Sequence, residues 1–98
     1  MKVSFRGGCL INEWSTNWPF ARLTADDGAV VLSMLRRKYS LEKSQITAIV
    51  RYRGLATTPG LQLKHAVPDV PQTLVFFPLN PRKVHSALTR LGYTTEDM

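Results

Sequence analysis

Apolar and polar positions alternate in short runs through most of this chain and change to a helical period near its end. Val3 to Phe5 is a strand-like piece, followed by Gly7-Gly8, a turn or a close backbone approach, and a second apolar run, Cys9 to Ile11. Glu13 to Pro19 reads as irregular. From Phe20 to Ala25, Ala21 and Leu23 alternate with Arg22 and Thr24, and Asp26-Asp27-Gly28 supplies hairpin-turn chemistry. Ala29 to Leu35 is a β-rich run ending in Arg36-Arg37-Lys38, and Tyr39 to Leu41 either continues the sheet or opens a loop.

Leu41 to Ile46 fits a short helical turn. Ile46 to Arg53 alternates, which predicts Ile46, Ala48, Val50 and Tyr52 on a core face and Thr47, Ile49, Arg51 and Arg53 on a wet one. After a Gly54 to Gly60 loop, Leu61, Leu63 and His65 alternate with Gln62 and Lys64. Val67-Pro68 and Val70-Pro71 break the chain before the β-branched and aromatic run Thr73 to Phe77.

The end of the chain carries the clearest element. Asn80 has the side chain of a helix cap and precedes Pro81 at the first helical position. Val84, Ala87, Leu88 and Leu91 repeat at i, i+3, i+4 and i+7, and Gly92 stands where a left-handed cap ends a helix. A helix over about 81–91 is predicted, with Thr94 to Met98 frayed. Strands in series followed by one amphipathic helix imply a mainly-β (α+β) domain spanning residues 1–98, in which the helix covers an open side of the core.

The segments Arg37 to Ile46 (RKYSLEKSQI), Ile49 to Gly54 (IVRYRG), Gly60 to His65 (GLQLKH), Thr73 to Phe77 (TLVFF) and the closing helix through Gly92-Tyr93 together resemble the bacterial pleckstrin-homology-like (PH-like) families. The resemblance covers roughly the last two-thirds of the chain through apolar positions and turns. It implies an antiparallel β-barrel of two roughly orthogonal sheets capped by a C-terminal helix. It also implies a scaffold that binds lipid headgroups, peptides or proteins and rarely performs chemistry. Phosphoinositide-binding members use a basic, spacer, Arg triplet in the first hairpin; here the first segments hold Lys2, Arg6 and Arg22 without it, and Arg51-Tyr52-Arg53 has that spacing in a later strand.

Ninety-eight residues close one modest core, and a 44% hydrophobic, 20% charged composition is that of a folded chain. A net charge of +6 favours acidic partners: nucleic acid, anionic lipid or an acidic protein face. Met1 to Cys9 holds no run long enough for a signal peptide, and no stretch approaches the roughly 20 apolar residues of a membrane span, so a cytoplasmic location without a transmembrane segment is expected.

Two constellations are candidates for binding. Arg36, Arg37, Lys38, Arg51 and Arg53 form one basic patch if adjacent strands gather them; otherwise they are a solvated face. Trp14, Trp18 and Phe20 surround Pro19 and either anchor a partner or seal one end of the core, the latter being expected for Trp18 and Phe20 and left open for Trp14.

Chemistry has little to work with. One Cys, two His and no nucleophile-elbow, zinc-protease or phosphate-loop motif leave only a Cys9, His65, Asp69 grouping, in which Pro68 and Pro71 exclude an aligning helix. Two His without a Cys pair do not close a zinc site, and no cofactor is expected. The reading is a non-catalytic interaction module for a protein or peptide partner. The alternative is a small basic nucleic-acid-binding domain, in which only Tyr39 and Tyr52 interleave with the cations. An open sheet edge also allows homo-oligomers by strand addition.

Overall fold

The computed structural model describes residues 2–34, 36–52 and 59–96. Its strands are β1 (Val3–Ile11), β2 (Trp14–Ala25), β3 (Ala29–Met34), β4 (Arg37–Glu42), β5 (Ile46–Tyr52), β6 (Gly60–His65) and β7 (Leu74–Pro78), and they are followed by α1 (Pro81–Arg90). They form one antiparallel sheet in the order β4-β3-β2-β1-β7-β6-β5. Most of the loop expected over Gly54 to Gly60 lies outside the described residues.

That order forces the sheet to curl. The edge strands β4 and β5 are joined only by the 3-10 turn Lys43–Gln45. Laid flat, seven strands would hold their edges about 29 Å apart at about 4.8 Å per spacing. Three linking residues span at most about 14 Å. The sheet therefore rolls into a half-barrel so that its edges meet at the Glu42–Ile46 corner, and α1 covers one side of it. This is the mainly-β architecture with a closing helix that the pattern predicts.

β1 serves both halves of the sheet. It pairs with β2 along its length and with β7 from Gly7 to Ile11. The Gly7-Gly8 pair makes a close approach inside this continuous strand rather than a turn: a Cβ at Gly7 would collide with the Phe77 carbonyl oxygen and press on the Phe76 ring at 3.0 Å.

Alternation places Ala21, Leu23 and Ala25 of β2 and Val30, Leu32 and Met34 of β3 in the core, with Leu61 and Leu63 of β6 and Phe76 of β7. In β5 the expected faces hold at Ile46, which is buried, and at Thr47 and Arg51, which are exposed, but fail at Ile49. The register with β6 shifts between Ile46 and Ala48, and beyond this bulge Ile49 is fully buried while Ala48 and Val50 are only half-buried.

The helix matches its prediction. Asn80 accepts the Lys83 N–H at 3.2 Å, Pro81 occupies the first turn, and Gly92 adopts φ +92°. Val84 and Leu88 are buried, worth about 1.5 to 3 kcal/mol each. Thr94, Thr95 and Glu96 depart from the frayed end expected over Thr94 to Met98, of which Asp97 and Met98 lie outside the described residues. Ile49 N–H donates to Thr94 O at 2.7 Å and Glu96 N–H to Ile49 O at 3.0 Å, so Thr94–Glu96 lies along the β5 edge.

Candidate functional site

Trp14 begins at the β1–β2 turn. Asn12 takes φ 53° there, a left-handed position that asparagine tolerates. Its N–H donates to Thr73 O at 2.9 Å and its side-chain oxygen accepts the Thr73 N–H at 3.2 Å, which ties this turn to the entry of β7. Trp14 then stands opposite Ile11 in the ladder, and Arg37 at the start of β4 carries its guanidinium over the indole at 5.2 Å. An open cleft of about 660 Å³ runs between them, lined by Ile11, Asn12, Glu13, Trp14, Arg37, Pro71 and Thr73. The β1–β2 and β6–β7 connections and the start of β4 thus meet at one mouth.

Next to Trp14, β2 departs from its ladder. Gly7 pairs with Ala21 and Cys9 with Thr16, so the four residues Asn17 to Phe20 stand opposite the single Gly8, with a cis Trp18–Pro19 peptide among them. The extra length has no ladder position to occupy. Trp18 is 51% exposed and Phe20 59%, which corrects the expectation that they seal the core; Trp14, left open by the sequence, is 62% exposed. The irregular segment expected over Glu13 to Pro19 is thus largely a bulged strand. Its turn residues signal irregularity, but only the register shows that the aromatic side chains are turned out of the core.

The basic residues are not gathered as the sequence suggested. Arg36, Arg37 and Lys38 are exposed at the β3–β4 turn and on β4, whereas Arg51 is exposed on β5, opposite Leu61. β4 and β5 are not paired with each other, so the side-by-side registration expected of adjacent strands is lacking. Arg53 lies outside the described residues.

A different basic row is formed instead. Arg6 pairs with Arg22, Arg22 with Ser33, and Ser33 with Lys38, so three exposed cations line up across β1 to β4 on the outer face. Part of this row is readable from the Asp26-Asp27-Gly28 hairpin, because pairing outward from Ala25 and Val30 sets Arg22 opposite Ser33. The Arg6 and Lys38 ends depend on which strands flank that hairpin.

The candidate nucleophile and bases are engaged structurally. Cys9 is buried, its thiol donates toward Met34 Sδ at 3.1 Å, and burial pushes its pKa up to about 11, so it is protonated at neutral pH. His65 accepts the Val67 N–H on Nδ1 at 3.0 Å and therefore donates from Nε2 to Pro71 O at 2.8 Å. Both ring nitrogens pin the β6–β7 loop, while Asp69 is exposed. The His85 ring donates to Glu96 O at 2.6 Å and helps hold the C-terminal tail. Among the described residues, no three His, Cys, Asp or Glu side chains form a group able to hold a metal ion, and no helix is long and apolar enough to cross a membrane. Compared with protein-family models, curated proteins and solved structures, the chain has no significant match.

Proposed function

We propose that this chain is a non-catalytic interaction module of PH-like architecture that binds a protein or peptide partner through the cleft between Trp14 and Arg37 and the exposed Trp18–Phe20 bulge of the same strand. The PH-like reading is supported by the strand order, in which one β1 strand links the two halves of a curled antiparallel sheet that a C-terminal helix covers. The observation that carries the partner reading is the exposure of three large aromatic side chains on one strand, beside an arginine stacked on one of them. Trp and Arg at a desolvated centre supply most of the energy of many interfaces, and an isolated module gains nothing from holding them in water. We place the module in the cytoplasm, where a lone free thiol such as Cys9 stays reduced. Self-association is assigned to β4, since the C-terminal tail occupies part of the other edge.

The test is affinity capture from the source cell with the wild type and the Trp14→Ala, Trp18→Ala double variant, with bound protein, nucleic acid and lipid analysed together. Both indoles are more than half exposed, so the fold should persist. A protein retained by the wild type and lost by the variant is the expected result. Capture of nucleic acid or lipid alone, or capture indifferent to the two indoles, would overturn the reading.

A further inference from the structure

The outer face of the β2–β3–β4 ribbon is grooved because its side chains differ in length. Val31 and Ser33 on β3 are short, and they lie between Thr24 and Arg22 on one side and Ser40 and Lys38 on the other. Two shallow depressions result. One, of about 380 Å³, is lined by Arg6, Pro19, Phe20, Arg22, Ser33 and Met34. The other, of about 320 Å³, has Lys2, Arg22, Val31, Ser33, Lys38 and Asp26 among its walls. Arg22 and Ser33 belong to both, so the two form one trough along β3 with the aromatic bulge at one end and Asp26 at the other.

We propose that this trough takes an extended, acidic segment of the partner, with a carboxylate clamped between Arg22 and Lys38 over Ser33 and an apolar side chain against Phe20 and Pro19. The inference rests on the protein-or-peptide reading above and names the chemistry of that partner. Arg22 and Lys38 are two strands apart, about 10 Å between backbones, a gap that two long cationic side chains close around one carboxylate. Phe20 precedes Arg22 by two residues, about 7 Å along a strand, which equals the spacing of side chains on one face of an extended peptide. The recognised pattern is therefore an apolar residue and an acidic residue separated by one.

Asp26 stands at one end of the trough beside Lys2. Its carboxylate accepts the N–H groups of Gly28 at 2.8 Å and Ala29 at 2.9 Å and is held below the usual carboxylate range by these bonds, with the Lys2 charge adding to them. Arg22 and Lys38 are thus the cations left facing the occupant over Ser33. A nucleic-acid strand would find only Phe20 to stack on in the trough.

The experiment is a titration of the isotope-labelled protein, followed by amide chemical shifts. The probes are a nonapeptide with a central phenylalanine-glycine-glutamate, the same peptide with glutamine for glutamate, and single-stranded oligothymidylate. The glutamate peptide should shift Phe20, Arg22, Ser33 and Lys38. Arg22→Gln and Lys38→Gln should each weaken its binding about tenfold, the scale of one charge-assisted hydrogen bond. Arg90→Gln, the same charge change on an exposed position of α1, should leave it unaltered. Equal binding of the glutamine peptide, shifts elsewhere, equal loss in the Arg90 variant, tighter binding of the oligonucleotide, or no shift at millimolar peptide would each sink the proposal. Its failure is separable from that of the reading beneath it. A captured partner lost on Trp14→Ala but kept on Arg22→Gln would leave the mouth as the interface and remove the trough; a partner kept on Trp14→Ala but lost on Arg22→Gln would do the reverse.

Discussion

The phenol of Tyr93 donates to the backbone carbonyl of Asp26 at 2.7 Å, joining the residue that follows the α1 cap to the β2–β3 turn. The contact exists because Gly92, at φ +92°, reverses the chain and sends Tyr93 back into the core, where its N–H also donates to Leu88 O at 3.1 Å. At the same corner the Lys43 ammonium donates to Leu91 O and sits over the Tyr93 ring at 5.0 Å.

Burial, with the charges of Asp26 and Asp27 adding to it, pushes the Tyr93 phenol from 10.0 up to about 12, and burial pushes the Cys9 thiol from 9.0 up to about 11. Both groups hold their protons more tightly in the folded state. Their contribution is therefore complete below the unfolded values and is lost as pH rises, between 9.0 and about 11 for Cys9 and between 10.0 and about 12 for Tyr93. Denaturant titrations across neutral and alkaline pH should show stability falling above the lower of these values. Cys9→Ala should flatten the first part of the fall and Tyr93→Phe the second. Tyr93→Phe should also cost about 0.5 to 1.5 kcal/mol at neutral pH through the lost hydrogen bond.

Leu88 is fully buried beneath the helix, in the same core cluster as Phe76 and Leu61. Leu88→Ala should lower the unfolding free energy by about 2 to 5 kcal/mol, the range for a leucine cavity. Equilibrium denaturation checks this, and a change within experimental error would mean that α1 is not docked.

The bulge in β5 makes neighbouring residues unequal. Ile49 is fully buried and Val50 only half so, although simple alternation from Ile46 assigns them the other way. Ile49→Ala should cost about 2 to 5 kcal/mol and Val50→Ala distinctly less. A larger loss for Val50→Ala in paired melts would place the strand in the unshifted register.

The tail protects an edge. Besides its backbone bonds to Ile49, it is held by Thr95, whose hydroxyl lies 2.8 Å from that of Thr89. A chain ending at Tyr93 should expose the Ile49 N–H and C=O and self-associate through β5, as edge strands do. Sedimentation at increasing concentration would reveal dimers in the truncated chain beyond those of the wild type.

Sequence alone determined the elements whose signals are local. The Asn80-Pro81 start, the apolar stripe through Leu88 and the Gly92 stop specify α1 without reference to anything outside it. Ala21 to Ala25 and Leu61 to His65 reveal their inward faces because a strand alternates with period two. Tertiary structure decided what depends on pairing across the sheet. The burial of Ile49 and the outward turn of Trp18 and Phe20 arise from extra residues with no partner in the neighbouring strand, which local periodicity does not register. The full row from Arg6 through Arg22 to Lys38 exists only once β1 and β4 take their places on either side of the β2–β3 hairpin. Alternation tells each side chain which face of its own strand it takes; hydrogen bonds between distant segments choose the strand beside it, and with it the charges and rings that it meets.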